Sequence, residues 1–168
     1  MINSANLSTG IGLQVIQAAI LSAEGKTRAQ ITAAIEEIRP RVRASFVVDT
    51  LTYLYRGGRC NAVAALAGGM LKLHPRIVVE DGAMDASKKY RGKLASVILS
   101  YTKDMEEALK NAVPDRVFIT HSGCDREIVE SVRSYLDSLG IFNEILETRA
   151  GGVVSSHCGP GTPVSYTH

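Results

Sequence analysis

Gly151-Gly152-Val153-Val154-Ser155-Ser156-His157-Cys158-Gly159-Pro160-Gly161 is a stretch in which an apolar pair, two hydroxyls and one imidazole run into a Gly-Pro-Gly turn. Valine favours an extended backbone, and no strand ladder continues through Gly-Pro-Gly. The pattern therefore predicts a short strand over 153–156 that places His157 at its mouth. An imidazole flanked by hydroxyls, Ser156 among them, and by glycines that allow close approach suits an anionic head group.

A second stretch, Leu51-Thr52-Tyr53-Leu54-Tyr55-Arg56-Gly57-Gly58-Arg59, has related chemistry. It predicts a short helical turn that ends at the glycine pair, with the Arg59 guanidinium directly after the break. Arginine offers a planar fork of donors that matches a carboxylate or a phosphate. Taken alone, an arginine such as Arg59 is more often a helix-end cation, and a histidine such as His157 is more often a hydrogen-bonded turn residue than a functional group.

The rest of the chain alternates helices and strands. Ser8 or Thr9 is the expected N-cap of a first helix that ends at Gly25, and Thr27 to Gln30 forms a capping-box pattern for a second helix that runs to Pro40. Further predicted helices cover 61–73, 94–109 and 128–139, and predicted strands cover 45–48, 76–80, 83–88, 117–120, 141–148 and 163–166. Asp81-Gly82 is a strong hairpin signal. This order indicates an α/β fold, a mixed sheet with helices packed on it.

The order of four motifs along the chain carries a family resemblance. Tyr53-Leu54 and Arg56-Gly57-Gly58-Arg59 come first, Glu80-Asp81-Gly82 and a basic Lys88 to Gly92 run follow, and Ser155 to Gly161 closes the series. The opening Asn3 to Gly12 adds a fifth segment. The chain resembles the C-terminal part of the DegV family of fatty-acid-binding proteins from one end to the other.

The resemblance implies a division of the chain. Family members have an amino-terminal and a second α/β domain, with one long-chain fatty acid bound between them. Met1 lies near the family's crossover, so residues 1–44 are expected to be a helical segment of an otherwise missing front domain, and 45–168 the C-terminal-like α/β domain. The front domain supplies the Ser and Thr groups that hold the carboxylate, and most of it is absent from this sequence.

The resemblance also implies a function. We expect a bacterial carrier that binds a long-chain fatty acid, needs no cofactor or metal, is not an enzyme by itself, and presents the carboxylate to a partner fatty acid kinase. The expected head-group residues are Arg59, His157, Ser156 and Gly58. Candidates for the lipid tunnel, which are equally ordinary core residues, are Leu51, Leu54, Leu66, Met70 and Leu71.

Composition restricts the other function classes. With 168 residues, 45% of them hydrophobic, the chain can bury one core; a net charge of +2, 3 Phe, 6 Tyr and no Trp argue against a nucleic-acid partner. The three cysteines are far apart in sequence, which favours a reducing cytoplasm over a disulfide framework. The apolar run from Ile11 to Ala23 lacks a basic leader and contains polar residues, so we expect neither a signal peptide nor a membrane span.

Three alternatives remain open from the sequence. His121, Cys124, His157 and Cys158 invite a zinc site, although the repeated paired spacing of structural zinc motifs is missing. Cys158 with a histidine would instead suit a Cys-His hydrolase. A third possibility is a truncated structural module that has lost its lipid and self-associates through an exposed apolar cleft.

Overall fold

The computed structural model describes the backbone of residues 1–59 and 73–167 and the side chains of these ranges as far as residue 162. The predicted helix over 61–73 therefore lies outside the described residues, except for Leu73, which begins a strand. Three of the tunnel candidates, Leu66, Met70 and Leu71, also lie outside them.

The described elements follow the expected alternation. The helices are α1 (Ser8–Ala23), α2 (Arg28–Ile38), a 3₁₀ turn (Arg39–Arg41), α3 (Thr52–Arg56), α4 (Leu94–Asp104), α5 (Glu106–Lys110), α6 (Arg126–Leu139) and α7 (Gly152–Cys158). The strands are β1 (Arg43–Val47), β2 (Leu73–Glu80), β3 (Ala83–Arg91), β4 (Arg116–His121), β5 (Glu144–Arg149) and β6 (Pro163–Thr167).

The described strands form a mixed sheet in the order β3-β2-β1-β6-β4-β5. β6 is antiparallel to both β1 and β4, and β4 is parallel to β5, so β1, β4 and β5 all run in one direction. These three strands finish at Val47, His121 and Arg149, on one end of the sheet that we call the carboxyl end. The opposite, amino end carries the start of β1 and the β2–β3 turn. The predicted α/β class is confirmed.

Helices cover both faces of the sheet. On the first face, α1, α3 and α7 pack on alternate residues of the strands, with Leu13, Phe46, Val48, Leu54 and Cys158 in this core. On the second face, α4, α5 and α6 cover a core that includes Val47, Ile98, Tyr101, Val117 and Leu136. Within the part of the chain that the structure describes, no helix is both long and apolar enough to cross a membrane.

Several local signals of the sequence are confirmed. Thr27 and Gln30 form the expected capping box at the start of α2. α6 ends at Gly140, whose φ of 62° is left-handed. The β2–β3 hairpin turns at Asp81 and Gly82, with φ of 51° and 79°, as a two-residue turn between twisted strands requires.

The start of α1 differs from the expectation. Ser8 and Thr9 are helical residues, and the N-cap is Leu7, which makes no side-chain cap. Asn6 anchors this segment instead, because its Nδ2 donates to the Val42 carbonyl at 2.9 Å and its Oδ1 accepts from the Leu7 N–H at 3.0 Å. The Thr9 hydroxyl is therefore free to bond to the sheet, 2.8 Å from the hydroxyl of Thr120.

The predicted strand over 153–156 is wrong, since these residues lie in helix α7. Gly151 precedes the helix in an extended conformation, and the Ser155 and Gly159 N–H groups close successive turns onto the carbonyls of Gly151 and Ser155, each at 2.9 Å. The helical spacing brings Val154 and Cys158 together on the first-face core. Tertiary packing of this pair outweighs the intrinsic strand preference of valine.

A network of donors surrounds the Glu147 carboxylate on β5. His121 Nε2 lies 3.2 Å from Oε1, Arg126 Nη1 donates to Oε2 at 3.0 Å, and Arg133 Nη2 donates to it at 3.5 Å. His121 Nδ1 accepts the backbone N–H groups of the following turn, at 3.3 and 3.1 Å, so Nε2 carries the ring proton. The hydrogen bond from His121 is the main cause that lowers the pKa of Glu147.

Glu147→Gln should therefore destabilise the protein in a pH-dependent way. The contribution of the charge is complete above the ordinary pKa of 4.5 and is lost as the pH falls through the lowered pKa of the folded state. We expect the free energy of unfolding to drop by about 1 to 2 kcal/mol at neutral pH, and the difference to shrink as the pH falls below 4.5 and through the lowered pKa. Urea titrations across this range measure it.

Glu144→Gln on the same strand is the matched control. Its ion pair with Arg116, at 3.3 Å, leaves the Glu144 side chain 53% exposed, so we expect a change within about 0.5 kcal/mol. Equal losses for both variants at every pH would contradict the role assigned to the Glu147 network.

Candidate functional site

Three chain segments leave the carboxyl end of the sheet side by side. β1 leads into α3, β4 leads into the turn from Ser122, and β5 leads into α7. Ligands of α/β proteins commonly bind beyond the carboxyl ends of parallel strands, because these connections can be shaped without disturbing the sheet. The two sequence stretches that suggested an anion site, around Arg59 and His157, thus arrive at one place.

Two glycines lock α3 and α7 together. The His157 ring lies against the Cα of Gly57, where an added Cβ would meet the imidazole Nε2 at 2.7 Å. Tyr53 of α3 packs in the same way on Gly159, whose φ is 80° and which has no room for a side chain. Ser122 donates its hydroxyl proton to the Gly159 carbonyl, and its Oγ accepts the Thr162 N–H at 3.2 Å. The position of His157 is therefore set by close backbone approach.

Arg59 is placed by the helix end that precedes it. The Arg59 N–H donates to the Leu54 carbonyl at 2.9 Å and the Gly58 N–H to the Tyr55 carbonyl at 3.0 Å, the two bonds of a Schellman motif. Gly58 has a φ of 68°, which a residue with a side chain adopts only with strain. The exposed Arg59 side chain folds back so that Nη1 donates to the Gly57 carbonyl at 2.7 Å. Arg59 and His157 therefore contact the same glycine.

His157 keeps one ring nitrogen available. Its Nδ1 lies 2.7 Å from the Val153 carbonyl, and a carbonyl only accepts, so Nδ1 carries a proton. Nε2 is then the acceptor of the neutral ring and gains a donor proton when the ring is charged. The Ser156 hydroxyl also donates to the Val153 carbonyl, at 2.8 Å, which leaves its oxygen as an acceptor. Of the predicted head-group residues, Arg59 and His157 are the two that suit an anion.

A row of threonines at the same end of the sheet was missed from the sequence. The Thr120 hydroxyl of β4 lies 2.8 Å from that of Thr148 on β5 and 2.8 Å from that of Thr9 on α1. Thr120 and Thr148 are register partners on the parallel pair, on the face that carries α1. A single threonine in each of three distant segments gives no local signal. Only the observation that two of them follow an apolar strand run could have suggested the site.

The two tunnel candidates that the structure describes lie in the first-face core. Leu54 is 1% exposed and belongs to that core, while Leu51 is half-buried at its margin. Leu51 is thus the one of the pair with surface left to offer to a ligand.

The cysteines at this end are poor nucleophiles. Burial raises the pKa of the Cys158 thiol to about 11, and it also raises that of Cys124 to about 11, where the Asp125 charge adds to the effect. Nucleophilic cysteines have a lowered pKa, because the thiolate is the reactive form. Both ring nitrogens of His121 are engaged, and within residues 1–59 and 73–167 no three His, Cys, Asp or Glu side chains are grouped to hold a metal ion. The hydrolase and zinc alternatives thus gain no support.

Gly57→Ala tests the lock between the two helices. The new methyl group would overlap the His157 ring, so we expect a loss of about 1 to 3 kcal/mol in the free energy of unfolding, together with a shift of the His157 ring signals in NMR spectra. Gly152→Ala is the control, because a Cβ there meets no atom within 4 Å and Gly152 is helical. It should leave stability unchanged or raise it by up to about 1 kcal/mol. Unmoved His157 signals in Gly57→Ala would contradict the packing.

Comparison with known proteins agrees with the fold. The model of a family described as uncharacterised protein, DegV family, matches residues 1–166. A DegV domain-containing protein of Deinococcus radiodurans is 32% identical over 165 residues, which make up 96% of this chain and 57% of that relative. Another, from Caldanaerobacter subterraneus subsp. tengcongensis, is 29% identical over 162 residues, 95% of this chain and 56% of the relative.

A solved structure is similar over almost the whole chain. It is that of a DegV family protein from Thermus thermophilus described by its fatty acid binding, with a TM-score of 0.87 and 29% identity over 99% of this chain and 59% of its own. The present chain spans a little over half the length of these relatives. With its fold, its paired glycine motifs and the match over residues 1–166, the chain belongs to the DegV family.

Proposed function

We propose that this chain binds a long-chain fatty acid, with the carboxylate at the carboxyl end of the sheet near Arg59, Gly58, Ser156 and His157. The observation that carries the proposal is that the Arg59 guanidinium and the His157 imidazole contact the same residue, Gly57, although 98 positions separate them in sequence. A fork of donors beside a protonatable ring suits a carboxylate. The fatty acid binding of the Thermus thermophilus relative supports this choice of ligand.

The layer that would receive the acyl chain has apolar side chains exposed to solvent. Val15 of α1 is 60% exposed, Tyr55 of α3 is 71% exposed and Val153 of α7 is 73% exposed. All three helices cover the first face of the sheet, and the half-buried Leu51 lies at the margin of the same core. Exposed apolar groups collected on one layer are typical of a surface that another apolar body covers. Leu66, Met70 and Leu71 remain candidates for the tunnel wall.

The division of the chain is part of the proposal. Residues 1–44 would belong with a front domain and 45–168 would form the second domain, with the lipid between the two. The first segment would be the part of the front domain that packs directly on the second, since the Thr9 hydroxyl of α1 lies 2.8 Å from that of Thr120 and Leu13 belongs to the first-face core. A carrier of this kind would work in a reducing bacterial cytoplasm, in keeping with the free Cys124 and Cys158.

Native mass spectrometry of the purified chain tests lipid binding. We expect a stoichiometric added mass of a long-chain acid, or uptake of one added oleate. Arg59→Met should weaken oleate binding by about tenfold or more, because a charge-assisted hydrogen bond contributes about 1.5 to 3 kcal/mol. Arg41→Met is the control, since the ion pair of Arg41 with Glu37, at 3.8 Å, lies away from the site.

An empty protein that takes up no oleate would overturn the proposal. The chain would then be a structural module that keeps the fold without the ligand, and self-association through the exposed faces of α1, α3 and α7 would be the companion observation in sedimentation experiments.

The finer proposal is that a separate kinase phosphorylates the bound carboxylate. The ATP γ-phosphoryl group would pass to a carboxylate oxygen, giving an acyl phosphate and ADP. Arg59 and a protonated His157 would offset the negative charge that builds on the transferring group. Neither residue would take part covalently, so the chain would act as a carrier and not as an enzyme by itself.

His157→Gln separates the two roles. In the presence of a fatty acid kinase catalytic subunit and ATP, acyl phosphate formation, trapped with hydroxylamine, should fall by about 100-fold or more, as losses of transition-state donors do. Oleate binding should change by less than about threefold, because the Arg59 fork remains. Equal losses of binding and of turnover would show that His157 acts only in lipid binding.

A further inference from the structure

A cavity of about 540 Å³ runs along β1 and β2 from Arg43 to Arg76, and neither Arg59 nor His157 lines it. The lining residues come from β1 and β2, from Met105 and α5, and from the end of α2 with the turn that follows it. Ser45, Val78, Met105, Ala108 and Leu109 are among them. Its volume is in the range of small-molecule sites, about 300 to 1,000 Å³.

Arg76 lines this cavity without a hydrogen-bond acceptor. Its Nε is buried and has no hydrogen-bond partner. The charge of Arg76 acts on the Asp104 carboxylate, but Lys88 and Tyr90 already donate to that carboxylate. The group lies over the Tyr101 ring, 5.7 Å from its centroid, and Tyr101 is 2% exposed. A half-buried guanidinium with unused donors is costly unless a ligand or water satisfies it.

The local backbone also favours a ligand-binding role for Arg76. The pairing of β2 with β3 shifts between Arg76 and Ile77, so that Arg76 opposes Lys88 while Ile77 opposes Ala86. Such a bulge re-aims a side chain and is common beside binding sites. The Tyr101 hydroxyl, which donates to the Ser45 carbonyl at 2.7 Å, fixes the ring on which the guanidinium rests.

The remaining charges limit the kind of ligand. Arg39 and Arg43 also line the cavity, and each donates only to a backbone carbonyl, of Asn3 at 3.3 Å and of Ala108 at 3.2 Å. Three exposed carboxylates balance the three guanidinium groups, those of Glu36, Glu80 and Asp81. A cavity without net charge disfavours a phosphate or another polyanion. A single carboxylate with a short apolar body matches both the cation and the apolar wall.

We infer that this cavity is a second binding site, which takes a small monocarboxylate with an apolar tail and pairs its carboxylate with Arg76. The tail would lie on Val78, Ala108 and Leu109. This site is separate from the proposed fatty acid site, because Arg76 and Leu109 contact the second-face core that α4 and α5 cover, whereas α3 and α7 pack on the first face.

Titration with sodium hexanoate, followed by NMR amide shifts, tests the inference. We expect saturable shifts at Val78, Ala108 and Leu109, and an affinity at least tenfold lower in Arg76→Met, which keeps the apolar stem of the side chain. Arg59→Met is the matched control, because Arg59 does not line the cavity, and it should leave these shifts unchanged. Dispersed spectra of each variant show that it is folded.

A second variant guards against a loss of fold in Arg76→Met. Ala108→Phe fills the cavity from its wall and should abolish hexanoate binding with the guanidinium intact. The inference is overturned if hexanoate gives no saturable shifts, if inorganic phosphate binds as well as hexanoate, or if both variants bind as the unmodified chain does. It is also overturned if the shifts map to His157 and vanish in Arg59→Met, since hexanoate would then occupy the proposed fatty acid site.

Discussion

The direction of β6 determines where the chemistry of this protein collects. Because β6 is inserted antiparallel between β1 and β4, those two strands and β5 point the same way, and all three end at one side of the sheet. α3, the turn after β4 and α7 must therefore start from neighbouring positions. As a result, the motifs around Arg59 and His157, which are 98 residues apart in sequence, meet at one end of the sheet. A different insertion of β6 would place Arg59 and His157 on opposite ends of the molecule.

Glycine makes the meeting of α3 and α7 possible. Gly57 and Gly159 each lie directly under an aromatic ring of the other segment, and Gly58 takes the left-handed backbone that turns the chain toward Arg59. A side chain at Gly57 or Gly159 would push the helices apart and release the His157 ring from the position that its Nδ1–H bond to Val153 selects. The lock thus couples helix packing to the orientation of one imidazole nitrogen.

Much of the fold was predictable because its signals are local. The Thr27 capping box, the Asp81-Gly82 turn, the apolar run of β4 and the helical spacing of α6 each depend on residues a few positions apart. The failures depend on distant contacts. Val153 and Val154 have strand propensity, yet Val154 and Cys158 are helical because both pack on a core that distant segments build. The Thr9, Thr120 and Thr148 contacts likewise exist only after the sheet has formed.

The two proposed sites differ in how their charged groups are satisfied, and this separates their roles. At the carboxyl end, Arg59 folds onto a backbone carbonyl and His157 is held by another, so both have a resting partner and can turn to a ligand without leaving a buried charge alone. In the cavity on the second face, the Arg76 guanidinium rests on the Tyr101 ring, and its Nε has no acceptor among the described residues. When no ligand is bound, water can hydrogen-bond to the exposed Arg59 guanidinium. The Arg76 guanidinium is half-buried, so its hydrogen bonds depend on what occupies the cavity beside it. The arrangement around Arg59 and His157 therefore suits a ligand that is bound and released. The arrangement around Arg76 suits a carboxylate that stays bound.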